Sequence, residues 1–136
     1  MSAAPTFIDT NILLDLATRD PQWLAWSLRQ VEVASLSGRL VIDPVVYAEL
    51  SVRFSTLEMI DAFLLRAEIV MEPTPREALF LAGKVYRNYR GAGGVKTGVL
   101  PDFLIGAHAA VVDAPLLTRD VGRYRTYFPT LHLIAP

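Results

Sequence analysis

Two rhythms of apolar residues divide the chain. Short apolar runs at residues 6–9, 40–43, 68–71, 116–118 and 131–134 read as buried strands, the first two ending in an aspartate. Between them, apolar positions recur three and four residues apart, the spacing of helices with one buried face. Residues 11–17 form a short helix after the first strand. Asp20-Pro21 reads as a helix cap with proline in the first turn, and Trp23, Leu24, Leu28, Val31 and Leu36 supply an apolar face until Gly38 stops the helix. Asp43-Pro44 repeats that signal and opens a helix through about residue 54, followed by another over residues 56–67. Pro75 begins a helix to about residue 90, and Gly91, Gly93, Gly94 and Gly98 then make a connector in which motion is expected. Pro101-Asp102 opens a helix through about residue 112, and a helical turn near Arg123 precedes the last strand. Strands alternating with helices, with no hairpin signal, predict an α/β fold: a three-layer α/β/α sandwich with a mainly parallel sheet, as one domain over residues 1–136. Such sheets bind ligands outside the carboxyl ends of their strands.

Of the 136 residues, 52% are apolar and 20% charged, which supports a substantial core and excludes a disordered chain. That is much apolar residue for a small domain, so part of the surface is expected to be covered by a partner or a second copy. Cysteine is absent, which removes disulfides, thiolate metal sites and cysteine nucleophiles and fits a reducing cytoplasm. Any metal must therefore sit on oxygen or imidazole. The apolar run at residues 103–112 is well short of the ~20 residues of a membrane span, and the N-terminus lacks the basic start of a signal peptide. A cytoplasmic protein without membrane association is expected.

A formal net charge of -1 gives no global pull toward nucleic acid, but the distribution is uneven. No acid occurs between Glu77 and Asp102, whereas Lys84, Arg87, Arg90 and Lys96 do, with Tyr86 and Tyr89 interleaved. Arg119, Arg123 and Arg125 with Tyr124 and Tyr127 form a second such mixture. These combinations hold phosphates and stack on bases, and equally describe a solvated helix face and a loop.

The acids carry more information. Asp9 ends the first strand, Asp120 follows the strand at 116–118, Asp102 lies in a first helical turn, and Glu49 projects beside Val45, Val46 and Val52. Taken singly, Asp102 is explained by the helix dipole, worth about 0.3–1 kcal/mol, and Glu49 by an ion pair with Arg53, worth roughly 0.2–0.5 kcal/mol. Gathered at one end of a sheet, however, four carboxylates repel one another, and a divalent cation removes the conflict. Oxygen-only donors select Mg2+ or Mn2+, whose characteristic chemistry in such sites is phosphodiester hydrolysis by an activated water. A haloacid-dehalogenase-like phosphatase would need a second acid where Asp9-Thr10-Asn11 has Asn11. Receiver-domain acid pairing, a P-loop and a dinucleotide fingerprint are also missing. His108, between Leu104 and Val112, reads as a packed core histidine. Trp23, Trp26, Phe54 and Phe63 read as core or subunit contacts, and Asp15 and Asp113 as surface acids.

Phe7-Ile8-Asp9-Thr10-Asn11, Glu49 on its helix, the segment Pro101-Asp102-Phe103-Leu104-Ile105-Gly106-Ala107-His108-Ala109 and Leu116-Leu117-Thr118-Arg119-Asp120 together resemble a PIN-domain ribonuclease of the VapC-type toxin group. The resemblance spans the chain. It implies an α/β/α sandwich, a Mg2+- or Mn2+-dependent endoribonuclease of a type II toxin-antitoxin pair, a homodimer, and a small VapB-type antitoxin that blocks the site and binds operator DNA. It also implies that Asp9, Glu49, Asp102 and Asp120 are the catalytic, metal-binding acids. Asn11 would fix the Asp9 carboxylate, and Thr118 would hold Asp120 or a water on the metal. Lys84, Arg87, Arg90, Lys96, Arg119 and Arg123 would guide RNA across the acids. One departure stands out: many relatives carry an acid roughly where this chain has Arg123, which makes Asp120 the least secure of the four. The alternative is an inactive PIN-like module that binds a protein partner or nucleic acid.

Overall fold

Strand β1 (Thr6–Ile8) is buried along its whole length and becomes the central strand of a five-stranded sheet. The computed structural model describes residues 5–96 and 98–136. The expected absence of a signal start thus falls partly on residues 1–4, outside the described residues. Chain order continues with α1 (Thr10–Thr18), α2 (Leu24–Ser37), β2 (Leu40–Ile42), α3 (Pro44–Ser51), α4 (Leu57–Arg66), β3 (Ile69–Met71) and α5 (Arg76–Gly91). It ends with α6 (Leu100–Val111), β4 (Leu116–Leu117), α7 (Gly122–Tyr127) and β5 (Leu133–Ile134). The sheet order is β3-β2-β1-β4-β5 and every pairing is parallel, with Phe7 beside Val41 on one side and Leu116 on the other. Parallel strands need helical crossovers, and the result is the expected α/β/α sandwich.

The chain reverses its direction of winding between β1 and β4. The carboxyl ends of those strands, bearing Asp9 and Thr118, flank the crevice where such sheets hold ligands. Side-chain caps fix where the helices begin. Asp9 accepts from the Thr10 amide at 2.8 Å, Asp43 from Val46 at 3.0 Å behind Pro44, and Thr56 from Met59 at 3.2 Å. Each such cap contributes about 1 kcal/mol. The core is formed by Phe7, Ile8, Leu40, Val41, Ile42, Leu116 and Leu117 of the sheet with Ile12, Leu13, Val46, Leu50, Phe103 and Ile105 of the helices. His108 is buried as expected, its ring edge-on to Phe7 at 4.9 Å and its Nδ1 3.2 Å from Asp43 Oδ2.

Several expectations need correction. Helix α2 begins at Leu24, because Asp20 spends its carboxylate on the Gln22 and Trp23 amides and makes a separate turn. Its buried face is Ser27, Val31 and Ala34, while Leu28 is exposed and Leu36 is 88% exposed. Helix α3 stops at Ser51, three residues early, in a turn closed by Arg53 and Phe54 amides on Leu50 and Ser51 carbonyls. The glycine connector is tied to α5 in its described part. The Gly94 amide donates to the Tyr89 carbonyl at 2.9 Å and the Lys96 amide to the Tyr89 hydroxyl at 3.0 Å, while Thr97 lies outside the described residues. The apolar excess does reach the surface, with Val52, Leu65 and Phe80 all exposed. No helix among the described residues is long and apolar enough to cross a membrane.

Gly106 sits where α6 meets α7. A Cβ there would lie 2.6 Å from the Phe128 ring and 3.1 Å from the Tyr124 ring, both buried. Alanine improves helix propensity by about 1 kcal/mol, but overpacking a buried contact costs about 1–3 kcal/mol. Gly106→Ala is therefore expected to lower stability by a net ~1 kcal/mol in urea titrations and to push α7 outward.

Candidate metal centre

Four acids from four separate segments line one cleft of about 430 Å3: Asp9, Glu49, Asp102 and Asp120, together with Thr10, Asn11, Leu14, Val52 and Arg53. Topology explains the convergence. Asp9 leaves the carboxyl end of β1 and Asp120 follows β4. The capped start of α3 carries Glu49 into the same region, and Asp102 occupies the first turn of α6.

Asp9 is pinned on both oxygens. Oδ1 accepts the Thr10 amide at 2.8 Å, while Oδ2 accepts the Thr118 hydroxyl at 2.8 Å, the Tyr124 hydroxyl at 3.0 Å and Asn11 Nδ2 at 3.3 Å. Burial nevertheless pushes its pKa up from 3.8 to about 6, against the lowering effect of those hydrogen bonds. Asn11 also accepts the Arg119 amide at 3.2 Å, and Thr118 accepts the Asp120 amide at 3.0 Å. The two thereby join β1 to the loop after β4.

Glu49 is half-buried and accepts the Thr10 hydroxyl at 2.6 Å, so Thr10 takes the place expected for Arg53. Burial raises its pKa, with added repulsion from Asp102 and Asp43. Asp102 is raised by burial too, opposed by the Arg123 guanidinium that pairs with it and reinforced by Asp120. Asp120 is exposed at the rim. These shifts share one leading cause, burial of the carboxylates in a partly dry cleft, to which repulsion between the acids adds a smaller part. The donors are all oxygens, which fits a hard divalent cation such as Mg2+ or Mn2+. Among the described residues no three acids are grouped as a ready ligand cage; Thr10 engages Glu49 and Arg123 engages Asp102.

The expected basic residues divide. Lys84, Arg87 and Arg90 are exposed on α5 and Lys96 on the connector. Arg119, expected to face RNA, is turned inward: Nε and Nη2 bind the two Asp15 oxygens at 2.8 and 2.9 Å, and its guanidinium lies 4.8 Å over the Trp23 ring. Asp15, expected at the surface, is 2% exposed and also accepts the Ser27 hydroxyl at 2.6 Å. Arg123, also expected to meet RNA, pairs with Asp102 instead. The aromatic residues do not form a free stacking platform. Tyr124 is 1% exposed, and Tyr86, Tyr89 and Tyr127 pack around Phe103. Sequence reasoning missed Thr10 and Tyr124. The first could have been found from its place beside Asp9; the second gave no local signal.

No curated protein shows significant sequence similarity to the chain. Solved structures do share its fold. VapBC2 from Rickettsia felis, bound to a DNA fragment from its promoter, matches at TM-score 0.73 and 22% identity, covering 97% of this chain and 98% of that one. VapBC-1 from nontypeable Haemophilus influenzae matches at TM-score 0.71 and 24% identity over 96% and 97%. DNA-bound VapBC from Salmonella typhimurium matches at TM-score 0.70 and 16% identity over 97% and 98%. The family model for the PIN domain matches residues 6–129, nearly the whole length over which the sheet and the acidic cleft are built. The chain belongs to the PIN domain family.

Proposed function

We propose that this protein is a Mg2+- or Mn2+-dependent endoribonuclease and acts as the toxin of a VapBC-type pair. The observation that carries the reading is the convergence of Asp9, Glu49, Asp102 and Asp120 on one cleft at the switch point of the sheet. Membership of a family whose proteins are generally nucleases supports it. A bound Mg2+ or Mn2+ would supply the missing positive charge, activate a water and stabilise the charge on the leaving oxygen.

The chain's own groups do the positioning. Thr118, Tyr124 and Asn11 hold one Asp9 oxygen and the Thr10 amide holds the other, so the buried carboxylate cannot rotate away from the cleft. Thr10 orients Glu49 through its hydroxyl, and Thr118 orients the Asp120 backbone. Asp9, Glu49 and Asp102 are the proposed direct ligands, and Asp120, exposed at the rim, is the outermost of the four. Lys84, Arg87, Arg90 and Lys96 give an exposed basic stretch suited to the RNA backbone, where such contacts weaken steeply with salt.

A VapB-type antitoxin and a second copy of the chain are the proposed partners for the exposed apolar side chains, with DNA contacted through the antitoxin. The solved VapBC assemblies bound to DNA support that part of the reading. A cytoplasmic location is part of the same proposal. The test is incubation of total RNA with Mg2+ or Mn2+ and with a chelator, followed by mapping of new 5′ ends. Internal cuts that vanish with chelator are expected; intact RNA under every metal condition overturns the nuclease reading.

A further inference from the structure

Arg123 is unlike the other basic residues near the cleft. Among the described residues it is the one basic side chain paired with an acid that lines it; Arg53 lines the same cleft and pairs with none. Its backbone is held by two residues that follow it. The neighbouring Tyr124 is buried with its hydroxyl on Asp9, and Phe128, just beyond α7, packs against Gly106 of α6. The side-chain ends are freer, with Arg123 22% and Asp102 25% exposed, so the pair can open into solvent while α7 stays in place. A guanidinium keeps its charge at any physiological pH, so a divalent cation arriving at Asp102 meets a permanent competitor there.

We propose that Arg123 is a resident counter-ion of the acidic cleft: a divalent cation must displace its guanidinium from Asp102, and the released guanidinium then binds a phosphate of the incoming RNA. This rests on the metal-dependent nuclease reading above and deepens it. With Arg123 on Asp102, the crowded acids keep a partial neutraliser and the cleft keeps its shape before metal arrives. Once released, its planar fork matches a phosphate in two-point contact and faces the place where the acids act. One residue thereby weakens metal uptake and strengthens substrate uptake, so removing it has opposite effects on the two.

Isothermal titration of the full chain with Mn2+ tests the first half, comparing wild type, Arg123→Gln and Arg53→Gln, each checked for retained fold by circular dichroism. Both substitutions remove one positive charge in or beside the cleft, but only the first removes a competitor for a carboxylate. Arg123→Gln is expected to bind Mn2+ about fivefold more tightly than wild type, and Arg53→Gln less than about twofold. Equal gains in both variants, or no gain in Arg123→Gln, overturn displacement while leaving metal binding intact. No Mn2+ uptake by any of the three removes the inference together with the nuclease reading. The second half is read at saturating Mn2+: KM for RNA should rise about tenfold in Arg123→Gln, and an unchanged KM overturns the hand-over to phosphate.

Discussion

Asp9→Asn and Asp102→Asn are each expected to lower RNA cleavage by more than about 100-fold while the protein stays folded. Groups that merely orient a metal's ligands cost about 10–100-fold when removed, and a direct ligand carries more. Asparagine keeps the shape and one oxygen acceptor but loses the charge that holds a divalent cation. The fold should survive because the charge is costly where it stands. Asp9 is buried and its carboxylate is held in the ionised form against desolvation, and Asp102 is destabilised by burial and by Asp120. Cleavage assays with Mg2+ beside thermal melts check both halves. A variant that still cuts at near wild-type rate removes that carboxylate from the site. A wild type with no metal-dependent cleavage to lose is instead the PIN-like binding module.

The second large effect is on stability against pH in chelator. The Asp9 pKa is raised from 3.8 to about 6, so between those values the folded state holds more protons than the unfolded state. Stability without metal therefore falls as pH rises through this window, the reverse of ordinary acid denaturation, by roughly 3 kcal/mol from Asp9 alone. Glu49 and Asp102 are shifted in the same direction and steepen the decline. Asp9→Asn should flatten most of the slope in urea titrations from pH 4 to 7; an unchanged slope would assign it to other groups. Metal at about 100 times its dissociation constant should restore about 2.7 kcal/mol at pH 7, where the acids are ionised.

Much of this was written in local chemistry. The strand runs needed no tertiary information because each is short, apolar and bounded by a cap or a turn. Asp43 and Thr56 announce helix starts through hydrogen bonds to amides three residues ahead. The four acids were visible because Asp9 and Asp120 follow strands and the other two sit on helices that start at the same sheet edge. What escaped depends on partners far along the chain. Asp15 looked like a solvent-facing acid on its own helix because its counter-ion, Arg119, lies 104 residues away. Asp15 also accepts the Ser27 hydroxyl, on the covered face of α2, while Leu28 and Leu36 lie outside, against the hydrophobic spacing. Tyr124 read as a base-stacking residue because nothing near it betrays a hydroxyl aimed at Asp9. The resting partner of Arg123 escaped because its acid, Asp102, is twenty-one residues upstream.

The inward anchorage of Arg119 has a mechanical side. Its amide steadies Asn11 and its guanidinium is bolted to α1 through Asp15, with Trp23 as a lid over the plane. The strip of chain between β4 and α7 is consequently braced from beneath, like a shelf on brackets, and the brackets stand on α1 and on the turn before α2, each of which also has surfaces turned away from the cleft. Those surfaces are free to be reshaped for a new companion without disturbing the spacing on the shelf.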